Sequence, residues 1–284
     1  MNKGYTLLDS GEGHKVERFG EYTFVRPCSQ ALWRPEKPMK IWEKEADALF
    51  TREWKGSWKS KRPLPKSWEV IIDGLSLRIS TTDFGHLGVF PEHADSWQWM
   101  ADLIAKRHPP PRVLNLFAYS GGATLAAARA GAEVCHLDAS AGMVSWAKEN
   151  AQRNKLNKAP IRWIVDDAKK FLKREVRRKK SYDAIILDPP SFGHGSKGQI
   201  FKIDKDVPLI LDLCRELLSE KPLFIFFSCH TPGYTPTVLG HLLDQTVKGL
   251  QGTIETGEML LQNPSKKIRS IPNGAYARWS CKHV

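Results

Sequence analysis

A chain of 284 residues, 41% hydrophobic and 26% charged, has a globular composition and is long enough for one large or two modest domains. No apolar run approaches the ~20 residues that cross a bilayer, MNKGYTLLDSGEGHK at the start lacks an apolar signal region, and Cys28, Cys135, Cys214, Cys229 and Cys281 form no Cys-x-x-Cys pair; a membrane span, export, a disulfide framework and a cysteine zinc site are all disfavoured, and the cytoplasm is the expected address. Forty-three Lys+Arg against 31 Asp+Glu leave +12, a field that favours polyanions, nucleic acid foremost.

Residues 1–95 read as a small β-rich domain: VERFG, YTFVRP, WEVIID and LSLRIST are short strand candidates broken by Gly, Pro and Asp. Within it, WKGSWKSKRPLPK (54–66) interleaves tryptophan with cations, the combination that single-stranded RNA needs, so an RNA contact is expected there. Most of the ten tryptophans are expected in the core. HADSWQWMADLIAKRH (93–108) follows as a helix capped by Asp95 or Ser96 and stopped by Pro109–Pro111.

From Arg112, strands alternate with helices. VLNLFAY, EVCHLD, IRWIV, DAIILD and PLFIFFS are near-continuous apolar strands, separated by GATLAAARAG, AGMVSWAKENAQRN, DAKKFLKREVRRKK and VPLILDLCRELLSE. Such a pattern predicts an α/β domain over 96–284 with a parallel, doubly wound sheet. GTIETGEMLL and AYARWSCKH complete seven strands as an antiparallel edge pair. On the third of these helices, Lys173, Arg174, Arg177 and Arg178 belong to two adjacent basic stripes, while Leu172 and Val176 face a core. The stripes are either an RNA surface or a solvated face.

Open parallel sheets bind ligands at the carboxyl ends of their strands. Ser120-Gly121-Gly122 after the first strand brings backbone and a helix N-terminus close to a ligand, without the three-glycine dinucleotide fingerprint. Asp138 ends the second strand, where an acid accepts ribose hydroxyls, and Asp166-Asp167 end the third, where a carboxylate takes an exocyclic amine. Helix capping is the bland alternative for each, and Ser140 is an alternative cap for the helix after Asp138. The fourth strand ends in Asp188-Pro189-Pro190-Ser191-Phe192, a rigid turn offering the Asp188 carboxylate and the Pro189 carbonyl as acceptors, with Phe192 to stack on a base. The fifth ends in Ser228-Cys229-His230, where Cys229 is either a nucleophile of lowered pKa or a small buried hydrophobe.

The run VLNLFAYSGGATLAAARAGAEVCHLDAS, with DAIILDPPSFG and FFSCH, resembles the class I S-adenosylmethionine-dependent methyltransferases, and within them the branch of the bacterial 23S rRNA cytosine-C5 enzymes. The resemblance spans roughly 75–284 and implies a Rossmann-like fold and S-adenosylmethionine, with S-adenosylhomocysteine as product. It places Asn115, Phe117, Tyr119, Gly121 and Gly122 around the methionine part, Asp138 at the ribose, Asp167 at adenine and Asp188 beside the methyl, with Ser120, Ala139, Ser140, Asp166 and Ala168 flanking them. GHLGVFPEHADSW (85–97) is similar to the segment that walls the pocket, which brings in Phe90 and Glu92. Cys229 matches the family's nucleophile. The chain departs from the branch in lacking a recognisable PUA-type barrel, in Ser191 where Lys is usual, and in His230 where Ser is usual.

The implied reaction is methylation of RNA, ribosomal by resemblance. For cytosine C5, Cys229 attacks C6 and Asp188 holds the ring; for an exocyclic amine, Asp188 and Pro189 accept its hydrogens and Phe192 stacks. A third reading keeps the fold as a non-catalytic RNA-binding module. No metal is expected, since His86, His93 and His136 are irregularly placed.

Overall fold

The computed structural model describes residues 3–51, 56–194, 200–263 and 268–282. The chain forms two compact units, Met1–Ala94 with Leu260–Asn273, and Asp95–Met259 with Gly274–Val284. Leu260–Asn273 groups with the first unit, an assignment no local pattern announces.

In the first unit β1 (Tyr5–Gly11), β2 (His14–Phe19), β3 (Tyr22–Pro27), β4 (Ala48–Thr51) and β5 (Ser57–Ser60) form a sheet in that order. Only β3 and β4 run parallel, joined through helix α1 (Met39–Glu45). β6 (Trp68–Ile72) and β7 (Leu75–Ile79) make a separate hairpin whose Asp73-Gly74 turn has φ of 49° and 67°, the doubly positive turn that matches strand twist. Glu17 lies fully buried beneath the sheet, ion-paired to Arg26 at 2.6 Å and Lys15 at 3.2 Å, and accepts the Tyr5 hydroxyl at 3.0 Å. In the stretch read as an RNA contact, the Trp58 ring packs against Phe50 and Phe24, and its Nε1 donates to the Thr82 carbonyl. Trp54 lies outside the described residues.

The second unit opens with α2 (Ala94–Ala105), continuous with a 3-10 turn at Pro91–His93, so Asp95 sits in the first helical turn and not at the expected cap. Strands β8 (Arg112–Leu116), β9 (Glu133–Asp138), β10 (Ile161–Val165) and β11 (Ala184–Leu187) alternate with α3 (Gly122–Arg129), α4 (Ala141–Arg153) and α5 (Ala168–Arg177). The short pair β12 (Phe192–His194) and β13 (Ile200–Lys202) leads into α6 (Ile203–Leu217), then β14 (Phe224–Cys229), α7 (Pro236–Thr246), β15 (Gly252–Leu261) and β16 (Ile271–Cys281). The seven-stranded order is β10-β9-β8-β11-β14-β16-β15, with β16 antiparallel to β14 as expected. The order reverses between β8 and β11, where Leu116 pairs with both Leu137 and Leu187, so the strand tips lie side by side. Strands such as Ala184–Leu187 are buried on both faces, as helices on either side of a parallel sheet require. No described helix is long and apolar enough to cross a membrane.

Candidate active site

The loop after β8 leaves the sheet through two non-glycine residues of positive φ, Phe117 at 55° and Tyr119 at 50°, a costly geometry that clusters where loops hold ligands. Phe117 turns its ring toward Phe201, with centroids 5.2 Å apart. The two glycines are also needed for packing. A Cβ on Gly121, at φ 92°, would meet Ala147 at 2.9 Å, and one on Gly122 would meet Trp97 at 2.3 Å. The missing side chains let α4 and α2 pack close against the turn. Ser120 is buried, and its carbonyl accepts the Asn150 amide.

Beneath the loop lies a buried polar chain. Asn115 donates to the Thr124 hydroxyl, which is hydrogen-bonded to His136 Nδ1, each at 2.9 Å. His136 Nε2 is buried without a partner among the described residues. Burial, helped by Lys148, pushes the His136 pKa down to about 3, so the ring stays neutral. Asn115, expected at the methionine part, is 3% exposed and committed to this chain.

Three acids line the adjacent tips. Asp138 Oδ2 accepts the Tyr119 N–H and Oδ1 the Ser140 N–H, both at 2.9 Å, with Ala139 contributing a third backbone donor. Burial raises its pKa against these bonds. The carboxylate keeps acceptor capacity, which suits two ribose hydroxyls. Ser140 caps α4 through the Met143 N–H, freeing Asp138 from that duty. At the next tip the bland reading holds for Asp167, whose Oδ1 caps α5 through the Lys170 N–H ahead of Ala168. Asp166 accepts the Asp167 N–H and pairs with Arg174.

Past β11, Asp188 is about a quarter exposed at its side chain, Pro189 is buried, and Phe192 is half exposed. The turn is tied to the loop after β14 by a 2.7 Å hydrogen bond between the Ser191 and Thr231 hydroxyls, and His230 Nδ1 stands 3.5 Å from Asp188 Oδ1. Cys229 is 1% exposed, and its Sγ accepts the Thr231 N–H at 3.3 Å. Its pKa is raised, by burial first and with help from the Asp188 charge, against the Thr231 hydrogen bonds. Phe90 and Glu92 belong to the first unit: Phe90 precedes the 3-10 turn, and Glu92 is buried and accepts the Asn273 amide.

Helix α5 divides its cations. Arg174 pairs with Asp166 and Arg178 with Glu175, while Lys170, Lys173 and Arg177 stand exposed along an open groove of about 540 Å³ that Arg174 also lines. Periodicity identified the face but not which cations are already partnered. His230 carried a signal as an imidazole at a strand tip, and its seat against Asp188 makes that count.

A parallel sheet with acids on adjacent tips beside its switch point defines an enzyme that takes a nucleoside-bearing cofactor. A description of the S-adenosylmethionine-dependent methyltransferase family matches residues 45–250, and a solved S-adenosylmethionine-dependent methyltransferase from Agrobacterium tumefaciens superposes with a TM-score of 0.93 at 40% identity, over 98% of this chain and 90% of that one. The chain belongs to that family, and S-adenosylmethionine is its cofactor. A ribosomal RNA large subunit methyltransferase K/L of Hahella chejuensis is 33% identical over 167 residues, 58% of this chain and 22% of the relative. A ribosomal RNA large subunit methyltransferase I of Tolumonas auensis is 36% identical over 165 residues, 57% of this chain and 40% of the relative. The chain thus matches less than half the length of either.

Proposed function

We propose that this chain is a cytoplasmic RNA methyltransferase whose substrate is large-subunit ribosomal RNA and whose target is an exocyclic amine. The names of the curated relatives and the exposed stripe Lys170, Lys173 and Arg177 along the groove support the RNA. The observation that carries the amine is the Asp188-Pro189-Pro190 tip: a partly open carboxylate and a proline carbonyl beside the half-exposed Phe192 ring, next to a cysteine held as a thiol.

The cofactor supplies a methyl group already activated on a sulfonium, so no separate Lewis acid is needed. Asp138 holds the ribose, with Ala139 and Ser140 shaping its loop, and Asp166 to Ala168 border the adenine. The Phe117 to Gly122 turn encloses the methionine part. Asp188 and the Pro189 carbonyl accept the amine hydrogens and aim the nitrogen lone pair, a positioning contribution of up to ~7–11 kcal/mol in favourable cases. Phe192 stacks on the extruded base, whose unstacking costs a few kcal/mol.

A second reading, cytosine C5 with Cys229 attacking C6, draws support from the Thr231 N–H on Sγ, a bond that favours a thiolate. Nucleoside mass spectrometry of rRNA treated with wild type and with Cys229→Ala separates the two. An N-methyl product made at an undiminished rate by the alanine chain is expected; a C5-methyl product lost with Cys229 would establish the second reading.

A further inference from the structure

We infer that His230, seated against Asp188, is a catalytic base that removes the proton from the target nitrogen as it is methylated. This rests on the amine reading above. An amine that gains a methyl must shed a hydrogen: the N–H bond breaks, its electron pair stays on nitrogen, and the proton needs an acceptor before it reaches water. Asp188 is placed to orient the amine, and the neighbouring strand tip supplies an imidazole.

The seat of that ring is built from three sides. Nδ1 faces Asp188 Oδ1 at 3.5 Å, an ion-pair distance of the kind that in catalytic pairs often tightens only with substrate. An ionised carboxylate only accepts, so the ring proton belongs on Nδ1 and the basic lone pair on Nε2. The second side is β16. Gly274, at φ 132°, brings its backbone so near that a Cβ there would lie 3.2 Å from His230 Cδ2 and 2.5 Å from the Met259 methyl. The third is the Ser191–Thr231 hydroxyl bond, which holds the loop next to His230 to the loop next to Asp188. The ring remains 30% exposed at its side chain, open enough to meet a base. After transfer the imidazolium sits beside the Asp188 carboxylate, which stabilises it until water takes the proton.

The experiment starts with the wild-type product. If it carries no N-methyl nucleoside, the amine reading fails, and the base fails with it. Given an N-methyl product, His230→Ala should lower kcat about 10²-fold while leaving KM for S-adenosylmethionine and RNA within about twofold, and imidazole in solution should restore part of the rate. His230→Gln, which keeps the side chain's bulk, should show the same loss with an unchanged thermal midpoint. Histidine-ring NMR of the wild type gives a readout apart from turnover: the Nδ1–H tautomer is expected at His230, and it should be lost in Asp188→Asn. Full kcat in both His230 variants, a loss that imidazole leaves untouched, or an Nε2–H tautomer would overturn the assignment.

Discussion

Glu17 in the first unit and Asp138 in the second are carboxylates withdrawn from water, and burial pushes both toward the protonated form. At Glu17 the charges of Arg26 and Lys15, with hydrogen bonds from Arg26 and Tyr5, reverse that push and lower the pKa. At Asp138 only backbone N–H groups oppose it, and burial wins. The first acid is consumed by the fold. The second is held charged at a cost, with acceptor capacity left for a ligand.

The contrast is broken or sharpened by three measurements. Glu17→Ala leaves Arg26 and Lys15 buried without their counter-ion and should cost ~3–5 kcal/mol in denaturant unfolding near neutral pH. Because the folded pKa of Glu17 is lowered, its contribution is present above the ordinary carboxylate range and disappears as pH falls through the folded value. The gap between wild type and variant should therefore narrow in acid. For Asp138 the signs invert: its raised pKa makes the ionised form a burden that acid relieves. Asp138→Asn should keep or raise the thermal midpoint while weakening S-adenosylmethionine binding by ~1.5–3 kcal/mol in calorimetry. Wild-type affinity should fall on acidification, and the asparagine chain should respond less. An Asp138→Asn chain that unfolds early and binds normally would erase the distinction. The smallest effect belongs to α5, where neutralising Lys173 or Arg177 should flatten the salt dependence of RNA binding by roughly 0.7–0.9 log units per lost phosphate contact. Arg174→Gln and Arg178→Gln, already partnered within the fold, should change it less.

The core of the second unit was legible because runs such as AIIL and FIFFSC have nowhere to go but the middle of a covered sheet. Its irregular parts were harder to read. Pro208 looks like a helix start, yet α6 begins at Ile203 with Asp204 and Asp206 in its first turn, and the proline sits inside. Helix α7 escaped notice because Gly240 and Val238 dilute its pattern, although Thr235 at the cap and Pro236 after it announce its start. In the site, the acids stood out by their place at strand ends, but their division of labour depends on partners distant in sequence. Arg174 reaches back to Asp166, and Trp97 fills the space in front of Gly122. The glycine pair was visible in one dimension, but the helices packed against it were not.

The excursion Leu260–Asn273 takes the chain out of one unit and back again, so the polypeptide passes between them three times. Leu261 and Ile271, each nearly inaccessible, fill a cluster with Leu7, Cys28 and Ala31. A protein shortened to begin at Asp95 would bare those two side chains, and the first ninety-odd residues expressed alone would carry a hollow where they belong. Neither half is a cassette, and gene fusions or swaps that treat residue 95 as a clean joint will yield sticky, unstable products.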